Sequence, residues 1–283
     1  MFIYPMLLEK EEEPFSDHNY LFELKLDGHR MIYSFENTKL QLFTRHFTDV
    51  TARYPELHIL PSHRDYVLDG ECIVYANNKP DFELLMERFH TRKEDKVRYK
   101  MSEIPVTFVA FDILRLDGKD LTKLPLIQRK QILDEVIKET EHIKIMQYIE
   151  EHGELLYQAV VERDLEGIVA KRKDSIYQSK RVNDWLKIVN YKYSDDIWIT
   201  GYRKSKFGLL AAVKNEGNMR KVGIIEHASI TVRRDFYQYI RSFEMREEKD
   251  YVYFQPYVKV KIRFLNWNSR GNLRIPVLLE VVH

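Results

Sequence analysis

Seven segments of this chain alternate apolar and polar side chains with a period of two, and that alternation restricts the fold more than any other feature. They are residues 22–27, 31–35, 40–45, 66–75, 106–114, 167–172 and 185–189. A period of two is the signature of a strand with one face against a core. In 22–27, Phe22, Leu24 and Leu26 point one way while Glu23, Lys25 and Asp27 point the other. Helical spacing appears over 126–140, through Ile132, Leu133, Val136 and Ile137. It recurs over 153–163, through Leu155, Leu156, Ala159 and Val160, with 83–89 a shorter candidate. Many strands and few long helices predict an α+β fold with antiparallel sheets.

After about residue 190 the texture changes. Short segments rich in Ile, Val, Tyr and Phe (197–204, 209–214, 221–225 and 252–264) surround one helical candidate, 233–243. Short strands with one inserted helix predict a small all-β barrel of the OB type. Charge shifts at the same place. Residues 191–283 hold 17 Lys/Arg against 10 Asp/Glu, leaving 28 against 34 for the rest, so a net charge of +1 hides a basic end on an acidic body. The boundary is therefore placed between residues 189 and 190, and the basic part is expected to face a polyanion.

Other features exclude whole classes. Cys72 is the single cysteine, so neither an intramolecular disulfide nor a multi-cysteine zinc site can form. No apolar run approaches the ~20 residues of a membrane span. The start, MFIYPMLLEKEEE, lacks the basic n-region of a signal peptide. A cytoplasmic monomer with no membrane association is the expectation.

The chemistry concentrates in ELKLDGHR, residues 23–30. A strand presents Glu23, Lys25 and Asp27 on one face and turns at Gly28 toward His29 and Arg30. An arbitrary lysine on a strand is a solvated edge charge. Here it is accompanied by a glycine that admits a phosphate and by a fixed cation. A lysine amine attacks phosphorus only when deprotonated, a state that burial or neighbouring cations favour.

KLDGHR resembles the nucleotidyl-lysine motif of ATP-dependent DNA ligases, RNA ligases and mRNA capping enzymes. TRHFTDVTARYPEL (44–57), VLDGECIVY (67–75), FVAFDIL (108–114), LEGIVAK (165–171) and DWLKIV (184–189) resemble the motifs that follow it, in the family's order. The resemblance covers nearly the whole chain and implies a compact ATP-dependent DNA ligase: a nucleotidyltransferase (adenylation) domain followed by an OB-fold domain. It implies that Lys25 is the nucleophile that carries AMP. Glu23 would read the adenine amino group, Phe111 would stack on the base, and Glu71 would accept from the ribose hydroxyls. Arg45 would contact substrate and Glu166 would hold Mg²⁺ or Mn²⁺. Lys171, Lys187 and Arg30 would neutralise the α-phosphate. Nicked double-stranded DNA is the implied partner, clamped by Arg203, Lys204, Lys206, Arg233, Arg234, Lys259, Lys261 and Arg263 of the basic end.

Blander readings stand beside these. Phe111 could be plain core, LDGE (68–71) an ordinary turn, and Glu166–Gly167 only a link from helix to strand. Two departures also matter. The family's last adenylation motif ends Lys-hydrophobic-Lys, whereas Val189 stands where the second lysine is expected. Lys192 lies three residues on, with opposite parity. The Arg-x-Asp-Lys-type motif that closes the OB domain of many ligases is missing, and Arg270 or Arg274 are the nearby cations. An RNA ligase, a capping-type guanylyltransferase and a catalytically impaired nucleic-acid-binding protein are the competing readings.

Overall fold

The computed structural model describes residues 1–59, 62–76 and 79–282. The chain divides into two compact units, Met1–Asn190 and Tyr191–His283.

Two twisted sheets build the first unit. One runs in the order Leu7–Lys10, Arg181–Val189, Gly167–Arg172, Asp17–Leu24, Tyr148–Glu151. The other runs Ile143–Ile145, Thr107–Leu116, Tyr66–Ile73, His29–Glu36, Lys39–Thr44, with the short Lys119–Asp120 pairing to Thr107–Leu116. Most pairs are antiparallel, as expected. One edge of each sheet departs from that: Leu7–Lys10 lies parallel to Arg181–Val189, and Ile143–Ile145 lies parallel to Thr107–Leu116. Parallel neighbours need a long crossover. The helix Leu126–Val136 lies on the crossover between Thr107–Leu116 and Ile143–Ile145.

The alternation in 22–27 now has a physical destination. Leu21 points into a cluster with Ile32, Val67, Phe111 and Trp185 that joins the two sheets. Its neighbour Phe22 points the other way, packing with Val160 of the helix Gly153–Glu162 and with Ile168 and Ile188. On the far side of the second sheet, Met31, Tyr33, Leu68 and Phe108 meet Leu85 and Leu133 from the helices Phe82–His90 and Leu126–Val136. The layers are therefore helix, sheet, sheet, helix. Asp81 starts the first helix by accepting from the Glu83 and Leu84 N–H groups.

Several expectations shift. The strand predicted over 22–27 ends at Leu24, although the Lys25 N–H still bonds to the Gly167 carbonyl at 2.9 Å. LDGE is no turn, since all four residues lie inside the strand Tyr66–Ile73. The helix Glu94–Glu103 was not foreseen because it buries only Val97. Without an apolar stripe it has no period to detect.

The second unit is a seven-stranded sheet. Its main path runs Asn218–Ile225, Leu209–Asn215, Lys192–Arg203, Tyr251–Phe264, Val277–Val281, His227–Ala228, and Glu244–Glu247 adds to Tyr251–Phe264. Only Glu226 separates the first strand of that path from the last along the chain. Ile197, Ile199, Val222, Phe254, Val260 and Ile262 fill the interior, with Phe236 from the helix Ile230–Tyr239.

Candidate functional site

Lys25 leaves the end of its strand between two connected clefts of the first unit. The inner one, about 540 Å³, is lined by Glu23, Lys25, Asp27, Arg30, Glu71, Phe111, Glu166, Lys171 and Trp185 among others. The outer one, about 1260 Å³, shares Lys25, Arg30 and Glu71 and adds Arg45, His46, Arg181 and Lys187. All nine residues that the resemblance singled out thus line one cleft or the other.

Register explains the convergence. Glu23 pairs with Val169 and Val169 with Lys187, while Leu21 pairs with Lys171 and Lys171 with Trp185. Residues directly opposite on adjacent strands share a face, so both rows point toward the second sheet. Glu166 immediately precedes Gly167, whose carbonyl holds the Lys25 N–H, and the Lys25 Nζ lies 2.5 Å from Glu166 Oε1. Gly167 has φ 151°, and a Cβ there would sit 2.2 Å from the Ile188 carbonyl oxygen. Gly28 serves close approach too, though to protein: a Cβ would fall 2.3 Å from the Cys72 carbonyl oxygen. No side chain but glycine's lets the chain after Lys25 pass so near Tyr66–Ile73.

The inner cleft is a set of paired charges. Glu23, 2% exposed, ion-pairs with Lys130 and, at 2.6 Å, with Lys171. Burial raises the Glu23 pKa, but the two lysines outweigh it and hold the carboxyl below its ordinary value. Burial brings the Lys171 ammonium down to about 8, with Lys130 adding to the effect and Glu23 opposing it. That ammonium lies 4.1 Å from the Phe111 ring centre and 4.3 Å from that of Trp185. Lys171 therefore sits at the Glu23 end of the cleft, whereas the resemblance placed it at the α-phosphate. Its strand position beside Leu21, four residues before Lys25, is the reason.

Arg30 grips Asp69 through two bonds of 2.5 and 2.6 Å, and its Cζ lies 4.4 Å over Phe111. Burial lowers the Arg30 pKa and Asp69 more than restores it, so the guanidinium stays charged. Tyr177 completes this pair by donating to Asp69 at 2.5 Å while accepting from the Met6 N–H at 3.0 Å. Burial pushes Glu71 up to about 8 despite Arg30 and Lys25, and Glu166 and Asp69 push the same way. Lys187 is held below the usual lysine range by burial, then by Lys25 and Arg181. Asp112 of FVAFDIL lines neither cleft. It is fully buried in a two-bond pair with Arg129, both bonds 2.8 Å.

Among the described residues, no three His, Cys, Asp or Glu side chains gather as a metal site, and no helix is long and apolar enough to cross a membrane. From Trp185 to Val189 the strand pairs with Gly167–Arg172 without a register shift, with Val189 opposite Gly167. Lys192 belongs to the second unit, opposite Phe264. Of the basic residues expected to clamp DNA, at least six lie within 4 Å of a carboxylate: Arg203 and Lys206 by Glu226, Lys204 by Glu247, Arg234 by Asp235, Lys259 by Asp196 and Lys261 by Glu280.

Residues 5–188 match the sequence model of the ATP dependent DNA ligase domain. The chain belongs to the ATP-dependent DNA ligase family. It is 36% identical over 279 residues to the SPbeta prophage-derived DNA ligase-like protein LigB of Bacillus subtilis (strain 168), covering 98% of this chain and 97% of that one. It is 31% identical over 229 residues to the bifunctional non-homologous end joining protein LigD of the same organism, covering 73% of this chain and 37% of that protein. A DNA ligase of Thermococcus fumicolans is 27% identical over 266 residues, covering 86% of this chain and 47% of the relative, so the chain spans less than half the length of these latter two. Among solved structures, the fold resembles a Lig E DNA ligase (TM-score 0.67, 16% identity, both chains covered completely, 100%). It also resembles a mycobacterial DNA ligase D solved with ATP and MES (TM-score 0.60, 23% identity, 98% of this chain and 94% of that one). As a member of this family the chain is a sheet-rich α+β nucleotidyltransferase and a DNA ligase enzyme.

Proposed function

We propose that this ligase seals nicks in duplex DNA with AMP carried on Lys25. The observation that carries the reading is the position of Lys25, 2.5 Å from Glu166 where a charge-balanced inner cleft opens into a cationic outer one. The amine, having lost its proton, attacks the α-phosphorus of ATP. A P–N bond forms, the bond to the β-phosphate oxygen breaks, and pyrophosphate leaves. AMP then passes to the 5′-phosphate of the nick, and the 3′-hydroxyl displaces it. Arg30 and Lys187 oppose the charge that spreads over the phosphate during each transfer.

At the inner end, Glu23 held ionised by Lys130 and Lys171 accepts from the adenine amino group and repels the oxo group of guanine at the same place. Lys171 acts there as an orienting residue and leaves the phosphate to Arg30 and Lys187. Phe111 offers its ring to the base. Glu71, whose pKa burial pushes up to about 8, can as the protonated acid both donate to and accept from a ribose hydroxyl. Glu166 would hold a Mg²⁺ or Mn²⁺ ion with phosphate and water oxygens as the other ligands, an arrangement that needs no three-residue protein cluster. Such an ion would stabilise negative charge on the phosphates.

The second unit, a sheet with one helix, is read as an OB-type domain that binds DNA by phosphate contacts, so affinity should fall steeply with salt. Residues 1–189 and 190–283 are then the adenylation and OB domains of a cytoplasmic monomer. Incubating the protein with divalent metal and α-³²P-ATP, or α-labelled GTP, tests the reading on a denaturing gel. Label should come from ATP only, disappear in Lys25→Ala and move to nicked DNA on its addition. Label from GTP would instead indicate a capping-type enzyme, and no label at all would indicate either an enzyme that needs preloaded AMP-DNA or a binding protein.

A further inference from the structure

The residue between Gly28 and Arg30 is set apart by what it touches. His29 opens the strand His29–Glu36, half-buried on the wall of the outer cleft. Its Nε2 lies 2.9 Å from the hydroxyl of Tyr54, which is fully buried. Its Nδ1 lies 3.4 Å from the Arg30 carbonyl oxygen, a group that can only accept. The proton therefore sits on Nδ1, and Nε2 accepts from the Tyr54 hydroxyl. Burial lowers the His29 pKa to about 4, with the Arg53 charge adding to the effect and the Arg30 carbonyl opposing it. Nε2 thus stays an acceptor at neutral pH. The imidazole is held between the Tyr54 ring, 5.7 Å away, and the Phe89 ring, edge-on at 5.5 Å.

That bond closes a loop. Residues 44–54 leave the sheet at Thr44, which pairs with Met31, and return at Tyr54, which meets His29 two residues earlier on the same strand. Between these ties the Thr44 N–H bonds to the Thr48 carbonyl at 2.9 Å and the Arg53 N–H to the Val50 carbonyl at 2.8 Å. Arg45 and Thr48 ride on this excursion and line the outer cleft. Backbone pairing fixes the outgoing end, whereas side chains fix the returning one. Arg53 donates to the Phe89 carbonyl at 2.8 Å, and Tyr54 donates to His29. A buried hydroxyl requires a partner of some kind. A partner four residues from Lys25 does more, because it sets the distance between the nucleophile and the loop of Arg45.

We infer that His29 is a positioning residue: its bond to Tyr54 holds the loop of Arg45 in place relative to Lys25 before DNA arrives. The inference rests on the ligase reading above. A loop tied at both ends meets its ligand already ordered. A loop untied at its returning end samples a range of positions, and the DNA must then order it on binding, at a cost in affinity. Once the DNA is held, Lys25, Arg30 and Lys187 act on the phosphate from strands that this tie does not hold. Loss of the tie therefore weakens the grip on nicked DNA more than it slows the transfer.

The test compares the full-length chain with His29→Phe, His29→Gln, Tyr54→Phe and the double variant His29→Phe/Tyr54→Phe. Sealing of a nicked duplex gives kcat and KM, with thermal melting alongside. His29→Phe keeps a ring and removes the acceptor. It should raise KM for nicked DNA roughly 3- to 10-fold, the scale of one hydrogen bond, with a smaller change in kcat. His29→Gln, whose amide oxygen accepts, should recover most of the loss. The double variant should be no worse than the poorer single one, since both changes remove the same bond. Additive losses would overturn the inference, as would a kcat that falls as much as KM rises or a Gln variant as poor as the Phe variant. So would a His29→Phe chain that melts earlier yet keeps its KM, which would leave the bond a purely structural role. A wild-type chain that neither takes label from ATP nor seals nicked DNA would remove the ligase reading and the inference together. If the wild type labels and seals while His29→Phe matches it in KM, the inference alone fails.

Discussion

The two clefts that meet at Lys25 have opposite electrostatic designs. Among the described residues, Glu23, Asp27, Glu71 and Glu166 line the inner cleft against Lys25, Arg30 and Lys171. Glu71 alone faces Lys25, Arg30, Arg45, Arg181 and Lys187 in the outer one. The inner charges are spent on each other before any ligand arrives: Glu23 on two lysines, Arg30 on Asp69. Such a site presents fixed dipoles to an uncharged base and needs little reorganisation to receive it. The outer cleft keeps a positive excess, which suits a polyanion that brings its own negative charge. Desolvated pairs therefore set the shape of one region and unbalanced surface charge sets the affinity of the other.

Two arginines that line the outer cleft separate these roles. Arg30→Ala leaves Asp69, which is fully buried, with only the Tyr177 hydroxyl among the described residues, and should destabilise the chain by about 3–5 kcal/mol. Arg45 is exposed and, among the described residues, bonds only to His46, at 3.4 Å, so Arg45→Ala should change stability by less than about 0.5 kcal/mol. It should instead reduce the slope of log affinity for nicked DNA against log salt by about 1. Urea midpoints and a salt series measure both. Equal destabilisation by the two variants would dissolve the distinction between the clefts.

Protonation sharpens the inner design further. The folded pKa of Glu71, about 8, lies above its ordinary 4.5, so between those values the folded chain holds a proton that the unfolded chain has released. This contribution to stability is complete below about 4.5 and is lost as pH rises through about 8. Lys171 behaves oppositely. Its pKa falls from 10.5 to about 8, so its contribution is present above 10.5 and is lost as pH falls through about 8. Together they predict a dip in stability near pH 8. Glu71→Gln, which cannot ionise, should remove the descent from the acid side while leaving the rise above pH 8. Melting midpoints from pH 5 to 10 for both proteins measure this, and identical profiles would mean that Glu71 is ionised in the folded chain.

How much of this could be read beforehand differs between the clefts as well. Lys25 and Glu166 stood out in the sequence because they lie in motifs that resemble the family's, and the structure brings the two side chains together; the strand Gly167–Arg172 appears as expected, residue for residue. Lys130 was missed for an instructive reason. Of the apolar residues at helical spacing there, Leu133 and Ile137 are buried, whereas Ile132 and Val136 are only partly so. The stripe that is buried is Leu126, Arg129, Lys130 and Leu133, at helical spacing. Two cations on the core face of a helix announce buried partners, here Asp112 and Glu23. Identifying those partners requires the fold, since Glu23 lies 107 residues from Lys130. Asp69 was passed over because LDGE suggests a turn, whereas cross-strand pairing with Ile32 and Asp112 keeps it inside a central strand.

The smallest expected effect concerns the lysine that this chain lacks. Val189 pairs with Gly167 and shares a face with Lys187, two residues back on a strand that pairs there without a register shift. Lys192 cannot take its place on that strand, because it pairs with Phe264 in the second unit. A lysine at 189 would extend the row of cations on the face that bears Lys187 without touching the inner pairs. A partly exposed charge acting on a phosphate is worth about 1 kcal/mol, so Val189→Lys should speed labelling by ATP roughly three- to ten-fold. Single-turnover labelling measures the rate, and raised salt should erase the gain. A slower variant would mean that the α-phosphate lies out of reach of this row, and that Arg30 with Lys187 already complete the cationic side of the transfer.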